Sequence, residues 1–324
     1  DAACGFLYEA VFDPIEVAQA HVPTLPIVLL DSELCGGSAS LLASLELSSC
    51  YHVISFEDAP AAAVRHGALG LVGGAHCDED IDKLLFLVLR LLVDVGRAAT
   101  SCDLFAFFAD VPRYAGCRAL LRTARKELPT LAVRNLTMTR GPSPLPALHI
   151  DARVDAGKVY ERRLRRLTPR ALSPPSVARV GSRGAGVEVA IVTGGIRGVG
   201  LRVGEFLLDD RRARRVVLLG RSAPRASDRT RIASLVERGA EVRLCDVGEW
   251  SAVEGLPDAE LVIHCAGSID DQLMQNVTAV RCSAVLHPKI NGVRHLRRRF
   301  GGTARLVAFS SSSALFGVAG QATY

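Results

Sequence analysis

The stretch VEVAIVTGGIRGVGLRVGEFLL, residues 187–208, constrains the fold more than any other part of the chain. A run rich in β-branched and apolar residues, a cluster of glycines and an apolar-periodic segment read as a buried strand, a tight turn and a helix. Within it TGGIRGVG fits the spacing TGxxxGxG through Gly194, Gly198 and Gly200. Glycine there allows the turn, lets the backbone approach a pyrophosphate and lets the helix pack closely on the strand, with the anion held at the helix N-terminus. A lone glycine triplet says little, but one that links a strand to a helix predicts nucleotide binding. The residues expected against the nucleotide are Thr193, Gly194, Gly195, Ile196, Gly198, Val199 and Gly200.

The same alternation continues toward the C-terminus. The runs VVLLG, EVRLCDV, LVIHCAG and ARLVAFSS read as further strands. The first half alternates too, with strand candidates at 6–12, 26–31, 51–56, 68–74, 103–110 and 132–139, and helical spacing over 78–97 and 116–128. Such a pattern predicts an α/β chain with mainly parallel sheets. Between the halves, LTPRALSPPSVARVGSRGAG has the composition of a linker. The boundaries read as 1–168, a linker at 169–186, and 187–324. Neither LLDSELCGGSASLL nor GALGLVGG has the phosphate-loop spacing, so the first half is expected to be structural.

At 324 residues with 49% apolar content, a sizeable core is within reach and disorder is disfavoured. The longest apolar run, LLFLVLRLLV (84–93), is too short to span a bilayer and contains Arg90. Nine scattered cysteines show no metal-ligand spacing and suit a reducing cytoplasm. The clusters RRLRR, RRARR and RHLRRR lack interleaved aromatics and read as solvated faces, so no nucleic acid, membrane or metal is expected. Only Lys83, Lys126, Lys158 and Lys289 stand among 39 basic residues, which singles each of them out.

Strand ends supply the remaining candidates. After VVLLG comes Arg221-Ser222, where an acidic residue would bind a ribose 2′-hydroxyl and an arginine suits a 2′-phosphate. This points to NADPH over NADH, with an unrelated surface arginine as the alternative. Asp246, followed by Val247, stands where it could accept from an adenine amino group or cap a helix. Ala266 and Gly267 are small enough for the backbone to lie against a cofactor, and His264 reads as structural.

Together TGGIRGVG, HCAGSIDD, HPKINGVRHL, AFSSSSALFG and GQATY resemble, in that order, the ketoreductase domain of modular polyketide synthases, within the short-chain dehydrogenase/reductase superfamily. The first half resembles that family's cofactor-free subdomain through its opening tyrosine strand, ALLRTARKELP and VDAGKVYERRLRRL. The resemblance implies two Rossmann-like subdomains: a degenerate structural one, and a catalytic one that holds NADPH. It implies reduction of a β-ketoacyl thioester carried by the phosphopantetheine of an acyl carrier protein, among neighbouring synthase domains. Tyr324 would give its proton to the developing alkoxide, Ser311 would hydrogen-bond the carbonyl, and Lys289 would favour the phenolate of a group whose ordinary pKa is about 10. Ile269-Asp270-Asp271 stands where B-type members carry Leu-Asp-Asp, which implies a D-configured, (3R) alcohol. The alternative is that both aspartates cap the following helix. The family continues past its tyrosine with an asparagine four residues on, so Tyr324 is expected to lie within a longer polypeptide. Two other readings compete: a catalytically silent scaffold, and a short-chain reductase of a free small molecule.

Overall fold

The computed structural model describes residues 8–15, 25–29, 51–55, 57–73, 81–110, 114–140, 151–155, 158–166 and 186–324. The linker stretch at 169–186 lies outside them except for Gly186, as does most of LLDSELCGGSASLL. By its internal contacts the chain divides into two units. The first takes Asp1–Val177 together with Gln272–Val277 and Ser312–Ala322; the second takes Ala178–Asp271, Thr278–Ser311 and Thr323–Tyr324.

In the second unit five strands run in parallel: β9 (Val187–Thr193), β10 (Ala213–Gly220), β11 (Ala240–Leu244), β12 (Leu261–His264) and β13 (Arg305–Ala308). Their order across the sheet is β11-β10-β9-β12-β13. The apolar residues of β9 alternate between two buried layers. Ala190 and Val192 pack with Val216, Leu218, Leu201 and Leu235, while Ile191 packs with Val217, Leu219, Val262, Leu296 and Phe300. Both faces are covered, which is why β9 and β10 read as continuous rather than alternating apolar runs. Helices Gly198–Asp209 and Ala226–Glu237 supply one cover; Ala279–Phe300 supplies much of the other.

The first unit holds an eight-stranded sheet, with β1 (Tyr8–Ile15), β2 (Leu25–Leu29), β3 (Tyr51–Ile54), β4 (Ala68–Gly73), β5 (Cys102–Ala109), β6 (Leu131–Arg140), β7 (Asp151–Asp155) and β8 (Lys158–Arg166). Its order is β1-β8-β7-β6-β5-β4-β2-β3. The pairs from β3 through to β7 are parallel, whereas β7–β8 and β8–β1 are antiparallel. An all-parallel sheet is therefore not what forms here. The connection from Asp155 to Lys158, which are register partners, is too short for the crossover that a parallel pair requires. Helical spacing read at 78–97 and 116–128 settles as Ile81–Ala98 and Ala115–Glu127. A further helix, Ala59–His66, ends at Gly67 in the left-handed conformation, which accounts for the first glycine of GALGLVGG as a helix stop.

Candidate active site

The C-terminal ends of β9 and β12 lie side by side at the point where strand order reverses, the place where open α/β sheets form their ligand crevice. A cavity of about 520 Å³ opens there, lined by residues following β9, β10, β11 and β12. Of the residues expected against a cofactor, Gly194, Ile196, Gly198, Val199, Gly200, Arg221, Ser222, Asp246, Val247, Ala266 and Gly267 line it.

Thr193 and Gly195 sit behind that lining. Thr193 is fully buried. Its hydroxyl accepts from the Ala266 N–H at 3.1 Å and lies 2.8 Å from His264 Nδ1, tying the end of β9 to the end of β12. An oxygen that accepts the amide is free to donate to a neutral imidazole. Burial lowers the His264 pKa, a shift only partly offset at the Pro288 main chain, so the neutral ring is favoured. Its Nε2 is buried without a well-formed hydrogen bond.

Glycine is required in the turn for two distinct reasons. Gly194 has φ +64°, and a Cβ there would lie 3.0 Å from the Ala266 Cα and N. At Gly200 a Cβ would come within 2.3 Å of the Gly194 carbonyl oxygen, so the helix beginning at Gly198 starts against the loop itself. The unpaired N–H groups of that first turn suit an anion.

Around the same cavity stand Arg197, Arg221 and Arg225, with Ser222, Ser227 and Asp228. Arg221 is exposed and follows β10 directly. Asp246 Oδ1 accepts from the Gly248 N–H at 3.0 Å, so this carboxylate shapes its own turn as well as facing the cavity. Cys245 and Cys265 also line the space, but burial pushes each thiol up to about 11, leaving them neutral at physiological pH. Sequence reading did not reach Arg197, Arg225 or Pro288; an arginine beside a turn carries no mark that separates it from a surface arginine. Glycine backbone, a helix N-terminus and three guanidinium groups together fit a phosphorylated dinucleotide.

At one edge of this cavity lies Tyr324. The Lys289 Nζ stands 3.4 Å from the centroid of its ring and donates to the Tyr324 carbonyl oxygen at 2.8 Å. Burial lowers the Lys289 pKa to about 8. The lysine projects from helix Ala279–Phe300, whose Pro288 faces the cavity. Ser311 follows β13 and is half-buried, within the same unit as Lys289 and Tyr324. Among the described residues no cluster of histidine, cysteine and carboxylate groups could hold a metal ion, and no helix is long and apolar enough to cross a membrane.

Ile269 lines the cavity and is 65% exposed. Asp270 is paired with Arg281, at 2.9 Å to Nε and 3.3 Å to Nη2. The N-cap of helix Ala279–Phe300 is Thr278, whose hydroxyl accepts from the Arg281 N–H. Asp270 therefore engages a side chain of that helix.

Residues 189–324 match the KR domain family. Polyketide synthase GfsB of Streptomyces halstedii is 36% identical over 146 residues, which are 41% of this chain and 3% of that protein. Spectinabilin polyketide synthase system protein NorA of Streptomyces orinoci is 32% identical over 234 residues, 66% of this chain and 12% of that one. The chain thus spans only a small part of the curated relatives it matches. Among solved structures, an A1-type ketoreductase superposes with a TM-score of 0.73 at 20% identity, over 98% of this chain and 76% of that one. At that identity the likeness shows the fold: α/β, Rossmann-like, with mainly parallel sheets.

Proposed function

Starting from the KR domain matched by residues 189–324, we propose that this chain reduces a β-ketoacyl thioester on an acyl carrier protein to the β-hydroxyacyl product, with NADPH as the reductant. The observation that carries this reading is the placement of Lys289 against the Tyr324 ring at the edge of a glycine-lined, arginine-rimmed cavity. When bound, NADPH supplies the hydride. The helix N-terminus at Gly198 and the guanidinium groups of Arg197 and Arg225 hold phosphates, while Arg221 with Ser222 takes the 2′-phosphate. The Ala266-Gly267 backbone gives the cofactor room to lie close.

The proton comes from the protein. Tyr324 delivers its phenolic proton to the carbonyl oxygen as that oxygen gains charge, and Ser311 holds the same oxygen by hydrogen bond. Lys289, positively charged over the ring, stabilises the phenolate left behind. Its lowered pKa keeps it within reach of both protonation states near neutrality, so it can help restore the phenol.

Ile269, Asp270 and Asp271 border the entrance and bias the side from which the acyl-pantetheine arm arrives. The product is then D-configured, (3R), in the manner of B-type members. The partners are a carrier protein bearing the β-ketoacyl phosphopantetheine and neighbouring synthase domains, and the setting is cytoplasmic. Incubation of the intact polypeptide with NADPH and a β-ketoacyl thioester should consume reduced nicotinamide and yield one hydroxy product per hydride. Tyr324→Phe should slow this by about 10³-fold while leaving cofactor affinity unchanged. Turnover of Tyr324→Phe at the wild-type rate would remove the phenol from the mechanism.

A further inference from the structure

We infer that Glu127 is a positioning residue for Tyr324, holding in place the turn that leads into the tyrosine. Glu127 is the last residue of helix Ala115–Glu127. An anion is disfavoured at a helix C-terminus, where the backbone dipole is already negative, so its presence there asks for a compensating use. That use is visible. Oε2 accepts from the Met274 N–H at 2.6 Å and Oε1 from the Gly320 N–H at 2.9 Å. The segments so joined also meet directly, since the Gln272 N–H donates to the Gly320 carbonyl at 2.7 Å and Gln272 bridges Gln321.

Cations of the first unit grip the carbonyls of the same stretch. Arg122 Nη1 donates to the Ala314 oxygen at 2.8 Å, Lys126 Nζ to the Gly317 oxygen at 2.6 Å, and Arg162 to the Leu315 oxygen. Asp151 in turn fixes both arginines, at 2.5 Å to Arg122 and 2.9 Å to Arg162. Gly317, at φ +62°, packs so closely that a Cβ would fall 2.3 Å from the Arg122 carbonyl carbon. Residues 312–322 are therefore anchored through their main chain, and they connect Ser311 to Thr323 and Tyr324. The same carboxylate holds the chain just beyond Ile269–Asp271. One carboxylate thus joins the segment that leads to Tyr324 and the segment that follows Ile269–Asp271 in the chain.

This rests on the reductase reading, and the test separates the two. Glutamine at position 127 can accept one amide through its oxygen but turns its own NH₂ toward the other. In the intact polypeptide, Glu127→Gln should make the Met274 and Gly320 amides exchange with deuterium about tenfold faster, with Val187–Thr193 unaffected. It should lower kcat about 30- to 100-fold, since small displacements of a reacting group are costly, while KM and NADPH affinity stay within about twofold. Unchanged exchange at either amide would overturn the clamp. Faster exchange with an unchanged kcat would overturn the positioning role, as would a uniform loss of protection accompanied by weaker NADPH binding. Failure of the wild-type protein to reduce any β-ketoacyl thioester would overturn the reductase reading and this inference with it; an active wild type whose Glu127→Gln variant lacks the expected exchange and kcat changes overturns only the inference.

Discussion

The Thr193 hydroxyl and the His264 Nδ1, 2.8 Å apart and 71 residues apart in sequence, join the two strands that flank the crevice. The same hydroxyl accepts the Ala266 amide, so one oxygen orders both a buried ring and the backbone that faces the cavity. Thr193→Val preserves shape and removes that oxygen. It should cost about 1–3 kcal/mol in urea unfolding, because a buried donor and a buried acceptor lose their partner. Thr193→Ser, which keeps the hydroxyl, should recover most of the loss. Equal losses for the two variants would show that the methyl, not the hydrogen bond, matters.

Cofactor choice should depend on Arg221. Arg221→Ala is expected to weaken NADPH about 10- to 100-fold, the worth of a charge-assisted contact, and to leave NADH within about twofold. Fluorescence titration with both cofactors measures it. A parallel loss for NADH would place Arg221 on the pyrophosphate instead.

Lys289 makes a prediction about stability and pH. Its pKa falls from 10.5 to about 8 on folding because burial penalises the charged amine. Between those values the unfolded chain binds more protons than the folded one, so this residue's contribution to stability rises with pH across that window. Below it the penalty is fully present. Lys289→Met should therefore raise the melting temperature at pH 7 while abolishing turnover, and its advantage should fade as pH climbs from 8 to 10.5. Melting curves across that range test it; a constant advantage would attribute the effect to packing alone.

Product chirality should follow the entrance. A ratio near a hundred to one needs only about 2.7 kcal/mol between competing transition states. Arg281→Ala releases Asp270 from its ion pair, and should lower the D-to-L ratio about tenfold with little change in NADPH affinity. Chiral chromatography of the hydrolysed product reads this out. A predominantly L-configured wild-type product would refute the B-type assignment.

Much of the second unit was legible because its signals are short-range. The apolar run of β9, the glycines at 194 and 200 and the helix after them act within a single strand–turn–helix, where steric demands leave few alternatives. Lys289 stood out by rarity. The edge of the first sheet was harder to read: in RRLRR, Arg162 is held by Asp151 and largely covered, against the solvated-face reading, while its neighbour Arg163 is exposed and pairs with Glu161. Glu127 could not be found at all from sequence spacing. Its partners lie 147 and 193 residues away, and nothing in ARKELP distinguishes it from an ordinary surface glutamate.

The interleaved make-up of the first unit has a consequence for synthesis. Lys126 finds its carbonyl partner 191 residues later, so at a ribosomal pace of about 5–20 residues per second the helix bearing Arg122, Lys126 and Glu127 waits roughly 10–40 s for residues 312–322. During that interval the glycine turn and its strands emerge and can fold on their own. A nascent chain stalled before residue 312 should thus expose this helix to proteolysis, however well its own sheet has formed, and release from the ribosome should close it.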